Sequence, residues 1–406
     1  MVNSLTYESF KMKNEIDVFK RYYAFDRLDK SNAYYESKKA NYLLAKEAYF
    51  SDTTKINAMP LRATMQTTDY CNLNCIMCQI HSQREKHSLK QMDVHNFDKI
   101  VEKIFPTLIE AHPTNIGEPL LSPWFDHLCE KCNEYGVLLD ITSNGTLLTE
   151  EKIAAILPCL LDIKISFDGM KTETFERIRK GAKQESVIKN IKNFIKMRND
   201  RSSTATITLQ MTLFNFNYRE FPDIIRFAHE IGVDRVKAYP VFSYSKEIDN
   251  LSIFNDFDAF LEVREECLEL AEKFNLKIGI AEPCSDTPAE AVKKLIQQKC
   301  RLPWAECFID YNGSVYPCHT HNHIALGNIF SQTANDVWNS PYAVSLREKL
   351  ISNNLNGCIC HNCGNNYIRT DLKQPVPYNK NDYLFQKDED HNIHWGKRCK
   401  QFLLDR

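Results

Sequence analysis

Three cysteines on one short segment carry the densest chemistry in this sequence: Cys71-Asn72-Leu73-Asn74-Cys75-Ile76-Met77-Cys78. Three thiolates presented together can each hold one iron of a 4Fe–4S cube, whereas a cube held wholly by protein takes four. The missing fourth ligand leaves one iron with an open position, the feature that separates a reactive metal site from a structural one. Zinc is the competing assignment, and it needs a fourth ligand close by.

Cysteines concentrate a second time between residues 300 and 363. Cys300, Cys307 and Cys318 are followed by Cys358-Ile359-Cys360-His361-Asn362-Cys363. Two cysteine pairs suit tetrahedral zinc, and four thiolates equally suit a 4Fe–4S cluster. The chain has 15 cysteines, an odd number, and its start lacks an apolar segment of signal-peptide type. Clustered thiols of this kind read as metal ligands in a reducing compartment rather than as a disulfide framework.

The elements that must position these residues follow from periodicity. Strand-like runs at 63–68, 111–116, 137–142, 161–167, 204–213, 235–242 and 277–281 alternate with helical runs such as 123–135, 186–197, 221–231 and 257–274. Such alternation predicts parallel strands joined by crossover helices. About six units predict a partial (β/α)6 TIM-like barrel of α/β class, with its chemistry at the C-terminal ends of the strands. Residues 1–60 read as a helical N-terminal extension, 61–285 as the barrel, and 286–406 as a small cysteine-rich C-terminal domain. The net charge of −2 gives no global basic field for nucleic acid. No apolar run is long enough for a membrane span. A cytoplasmic protein is expected, with no nucleic-acid or membrane partner.

The CxxxCxxC spacing at the end of a first barrel strand resembles the radical S-adenosylmethionine superfamily. Gly117-Glu118-Pro119, ending the second strand, is similar to that family's GEP motif, with Ile116 where a first glycine is common. Thr142-Ser143-Asn144-Gly145 and Ile165-Ser166-Phe167-Asp168-Gly169 resemble its polar ends of strands three and four. The resemblance covers roughly residues 61–285. It implies that Cys71, Cys75 and Cys78 hold a 4Fe–4S cluster and that S-adenosylmethionine chelates the open iron. Gly117, Glu118, Ser143, Asn144, Ser166, Asp168 and Arg179 would then contact the cofactor. Glu118 would receive its ammonium, and Ser166 and Arg179 its carboxylate, for which a guanidinium is well shaped.

The second group resembles the SPASM/twitch extension of the same superfamily. It implies one auxiliary 4Fe–4S cluster on Cys300, Cys318, Cys360 and Cys363. A second auxiliary cluster would have to recruit Cys307, Cys358, Cys399 and Cys284, since Gly364–Arg398 holds no cysteine.

The implied activity is that of a radical oxidoreductase that abstracts a substrate hydrogen. The expected reaction oxidises an alcohol carbon of a carbohydrate-like small molecule, with a reductant such as flavodoxin or ferredoxin. Residues 1–60 look too short and too helical for the leader-binding domain of peptide-modifying relatives. Three alternatives stand beside this. One is an epimerase in which Cys284 returns the hydrogen, another is peptide or protein modification, and the last is a structural metal-binding interaction protein. Cys129 and Cys132, three apart on one helix face, read as buried packing. His319, His321 and His323 read as a solvated loop.

Overall fold

Alternation of small polar and apolar residues decides which way each strand faces. The computed structural model describes residues 24–78, 89–241, 246–280, 299–318, 324–355, 360, 386–387 and 393–394. An N-terminal helix, α1 (Tyr35–Phe50), precedes β1 (Arg62–Met65). In β1, Ala63 and Met65 are fully buried while Arg62 and Thr64 turn to the other face. The chain continues through α2 (Val94–Ile104), β2 (Glu110–His112), α3 (Phe125–Tyr135), β3 (Leu138–Ser143) and α4 (Glu150–Ile156). Then come β4 (Leu160–Ser166), α5 (Thr172–Ile178), α6 (Gln184–Asp200), β5 (Thr206–Leu213), α7 (Phe221–Ile231), β6 (Arg235–Pro240), α8 (Phe257–Phe274) and β7 (Lys277–Gly279).

Strands β1 to β7 lie in sequence order and every neighbouring pair is parallel. The helices cover one face, against which Ile141, Ile163, Ile165, Ile207, Leu209 and Val236 are fully buried. Burial of this apolar face is what drives the sheet and helices together. The other face is polar.

The sheet does not stop at the barrel strands. β8 (Glu306–Ile309) pairs parallel with β1, Arg62 opposite Glu306, across more than two hundred residues of chain. β9 (Ser314–Tyr316) and β10 (Gly327–Asn328) then add antiparallel strands outside it. Residues beyond the expected division at 285/286 therefore continue the same ten-stranded sheet. Among the described residues its ends, β10 and β7, are not paired with each other, and the barrel is partial.

Two helices, α9 (Ala334–Trp338) and α10 (Pro341–Ser352), fasten this addition. Arg347 of α10 is fully buried, with no carboxylate partner among the described residues. It donates instead to the carbonyls of Pro303 (2.8 Å), Thr54 (2.9 Å) and Trp338 (2.9 Å). Trp304 donates its indole N–H to Thr53 O at 2.8 Å, and the Tyr49 hydroxyl donates to Lys299 O at 2.6 Å. The N-terminal helix is thereby tied to the segment that carries Cys300. Cys129 and Cys132 are buried as expected, at 2% and 0% exposure, beside the equally buried Cys159. Among the described residues no helix is long and apolar enough to cross a membrane.

Candidate active site

The chain leaves β1 through Gln66 to Tyr70 and enters the cysteine loop. Gln66 joins the ends of the first two strands. Its amide donates to Thr68 O (2.9 Å) and Ile116 O (2.9 Å), and its carbonyl accepts Asn115 N (3.0 Å). Gly117 is required here on two counts. Its φ is +92°, and a Cβ on it would lie 2.5 Å from Thr68 O. Only a residue without a side chain fits that approach. The next residue, Glu118, donates its N–H to Tyr70 O at 2.8 Å. The far side of the loop is docked by Asn74 N donating to Lys180 O (2.8 Å) and Ile76 N to Ile178 O (3.1 Å).

The side chain of Glu118 is fully enclosed, at 1% exposure. Its carboxylate accepts the Ser143 hydroxyl (2.8 Å) and the Asn144 N–H (2.8 Å) at the end of β3. Burial pushes its carboxyl up to about 7, against the lowering effect of those hydrogen bonds. Asn144 in turn reaches the loop: its amide donates to Asn72 Oδ1 at 2.9 Å and lies 3.9 Å from Cys71 Sγ.

At the end of β4, Asp168 is wholly buried. One oxygen accepts Thr212 N at 2.6 Å, and its backbone carbonyl accepts the Asn217 amide at 2.9 Å. The other oxygen is ion-paired with Arg179 Nε. Arg179 Nη1 stands 3.7 Å from Cys75 Sγ. The guanidinium expected at the cofactor carboxylate is thus committed in part to Asp168 and to a loop cysteine. Ser166, the last residue of β4, lies on the polar face within the same group of strand ends.

Burial raises the Cys71 and Cys75 thiols above the ordinary range, with the Arg179 charge partly offsetting this at Cys75. Thiolates at these positions therefore need a cation. Three thiols on one loop, with N–H groups of Asn144 and Arg179 turned to two of the sulfurs, fit an iron–sulfur cluster.

Of the second group of cysteines, Cys318 lies towards the opposite end of the β1–β8 pair. β8 runs parallel to β1 and β9 returns, so Cys318, two residues past β9, is level with Glu306 and Arg62. Cys300 precedes the start of β8, and Cys360 is buried in the core at 7% exposure. Cys307, considered for a second auxiliary cluster, sits on β8 among Pro60, Ile104 and Trp338 in the apolar core. Cys284, Cys358, Cys363, Cys399, His319, His321 and His323 lie outside the described residues. Asn72, Gln66, Thr212 and Asn217 were not singled out from sequence. Asn72 had a signal, since it lies inside the cysteine motif, and the other three had none.

An open parallel sheet with a three-thiol loop on its first strand and a buried glutamate on its second is the framework of radical enzymes that use S-adenosylmethionine. Residues 65–228 match the family model described as the radical SAM superfamily, and residues 300–364 match SPASM, an iron–sulfur cluster-binding domain. The chain belongs to the radical SAM superfamily and carries a SPASM domain; its cofactors are S-adenosylmethionine and 4Fe–4S clusters.

It is 25% identical over 299 residues to the tungsten-containing aldehyde ferredoxin oxidoreductase cofactor-modifying protein of Pyrococcus furiosus, covering 68% of this chain and 80% of that one. It is 24% identical over 290 residues to the antilisterial bacteriocin subtilosin biosynthesis protein AlbA of Bacillus subtilis, covering 70% of this chain and 60% of AlbA. The fold is similar to that of Streptococcus suis SuiB in its crystal structure bound to S-adenosylmethionine, with a TM-score of 0.55 at 16% identity over 79% of this chain and 73% of SuiB.

Proposed function

We propose that this radical SAM enzyme is an oxidoreductase that removes hydrogen from a carbon of a polar substrate held against the concave face of its sheet. Cys71, Cys75 and Cys78 would hold the reactive cluster, and Cys300, Cys318, Cys360 and Cys363 one auxiliary cluster. When bound, these groups and S-adenosylmethionine supply a 5′-deoxyadenosyl radical and an electron acceptor. The chain's own residues do the positioning. Glu118 receives the cofactor ammonium in a site that excludes water, and Ser143 and Asn144 orient its carboxylate. Asp168 holds Arg179 beside the cysteine loop, and Ser166 faces the cofactor carboxylate.

The observation that carries this reading is the enclosure of Glu118 directly against the loop: its N–H bonds Tyr70, and its carboxylate holds Asn144, which touches Cys71. A substrate with several hydroxyls suits the concave face, where Thr206, Thr208 and Gln210 alternate along β5. An alcohol carbon of a carbohydrate-like small molecule is the favoured site of oxidation.

Peptide modification is the second reading, favoured by the similarity to AlbA, a bacteriocin biosynthesis protein. Anaerobic reconstitution followed by a 5′-deoxyadenosine assay under strong reductant tests both. Substrate-dependent 5′-deoxyadenosine with deuterated polyols supports the first, through deuterium carried into the product. Turnover with peptides alone supports the second. Reconstituted, folded protein that forms no 5′-deoxyadenosine under any condition would sink both.

A further inference from the structure

Among the described residues, the concave face carries a cation that its carboxylates leave unpaired. Arg62, Glu110, Asp140, Asp162, Lys164 and Lys237 all turn to this face, away from the buried apolar positions of their strands. Asp140 is ion-paired with Arg62 at 2.5 Å and with Lys164. Asp162 lies 3.4 Å from Lys164 and accepts the hydroxyls of Thr206 (2.7 Å) and Thr208 (3.1 Å). Glu110 is 3.6 Å from Arg62 and accepts Ala24 N at 2.7 Å. Each acid is therefore engaged. Lys237 makes no hydrogen bond and no ion pair among the described residues.

Two further facts single out Lys237. Its neighbour across the sheet is Gly279 on β7, where a Cβ would come within 3.3 Å of Lys237 Cγ. The φ of Gly279 is not in the left-handed region, so the backbone does not demand glycine there. What the glycine provides is lateral room for the lysine stem. Burial, with Lys164 and Arg235 nearby outweighing Asp162 and Asp140, pushes the ammonium down to about 8. An anion brought to this point would relieve that cost.

We propose that Lys237 binds an oxyanion of the substrate, a carboxylate or a phosphate, on the concave face, and that Gly279 is a positioning residue for it. Lys237 is in register with Gln210, and Gln210 with Ser166. Two strand spacings separate Lys237 from Ser166, about 10 Å. The oxyanion would thus anchor one end of a substrate whose reacting carbon faces the cofactor. Only this spacing rests on the radical reading; the anion site itself does not.

The test is trace reductive methylation of the reconstituted holoenzyme, with each lysine followed by mass spectrometry and phosphate or acetate added in separate arms. An anion on Lys237 both covers the amine and keeps it protonated. Methylation of Lys237 should slow at least fivefold in one arm, while the exposed Lys189 is unchanged. The arm with the stronger effect names phosphate or carboxylate as the group recognised. Gly279→Ala should weaken that protection at least fivefold. Equal slowing of Lys237 and Lys189, or no slowing in either arm, would overturn the proposal. Formation of 5′-deoxyadenosine by the same preparation reports separately on the radical reading. Protection without it would leave the anion site standing and remove the radical reading.

Discussion

Arg179 bridges an acid and a thiol: Nε is ion-paired with Asp168, and Nη1 stands 3.7 Å from Cys75 Sγ. The pair couples the end of β4 to the cysteine loop that follows β1, three strands away in the sheet. Asp168 is wholly buried and the Arg179 side chain is 13% exposed, so solvent screens the pair little.

Asp168→Asn should therefore leave a buried guanidinium short of its counter-charge. The expected loss is about 3 kcal/mol of stability, seen as a lower urea midpoint with an unchanged slope. Iron content after reconstitution should fall as well, because Arg179 would no longer be held against Cys75. A variant with wild-type midpoint and full iron would show that the pair is dispensable.

Glu118 gives the site a pH dependence of definite sign. Burial raises its carboxyl to about 7, so in the free protein the carboxyl is mostly protonated below that pH. A ligand ammonium pairs with the ionised form, so each unit of pH below 7 should weaken S-adenosylmethionine binding by up to about tenfold. Affinity should rise from pH 5.5 and level off above about 7. Glu118→Gln should bind weakly and flatly across this range in equilibrium dialysis. A wild-type profile without slope would remove Glu118 from the ammonium site.

Gly117→Ala tests the docking of one strand end on another. The substitution combines a φ of +92° with a Cβ at 2.5 Å from Thr68 O, a backbone atom that cannot rotate away. The loss should exceed about 1 kcal/mol, and the displaced segment is the one leading to Cys71. The expected outcome is a folded protein by circular dichroism that reconstitutes with fewer irons. Full iron occupancy would mean that the loop accommodates the shift.

Much of the frame was legible because alternation is a local signal. All seven barrel strands fall where periodicity puts them, and α7 and α8 match residue for residue. β2 is shorter than its run, since Gln66 takes the backbone after it as hydrogen-bond partner instead of a neighbouring strand. β8 was not legible as part of this sheet. Four residues beside cysteines give no period, and its partner β1 is distant in sequence. At the site, Asp168 and Arg179 were each visible from their motifs. Their pairing was not, because it depends on how α5 turns back over the loop. Lys237 left a signal that went unused: Arg235, Lys237 and Tyr239 alternate along β6 with buried Val236 and Ala238.

Cys318 and the loop that begins at Cys71 lie at opposite ends of the β1–β8 pair, which makes the loss of the two groups separable. Three strand positions divide the level of Cys318 from the end of β1, about 10 Å along the strand axis. Intact protein should hold about eight irons, four in each cluster. Replacing Cys71, Cys75 and Cys78 with Ala should leave about four irons and abolish 5′-deoxyadenosine formation. Replacing Cys300, Cys318, Cys360 and Cys363 should also leave about four, yet retain S-adenosylmethionine cleavage without substrate oxidation. Each cluster would then be shown to assemble alone. About twelve irons in the intact protein would point to a second auxiliary cluster. Its ligands would have to come from outside the apolar core, because Cys307 is enclosed between β8, Ile104 and Trp338.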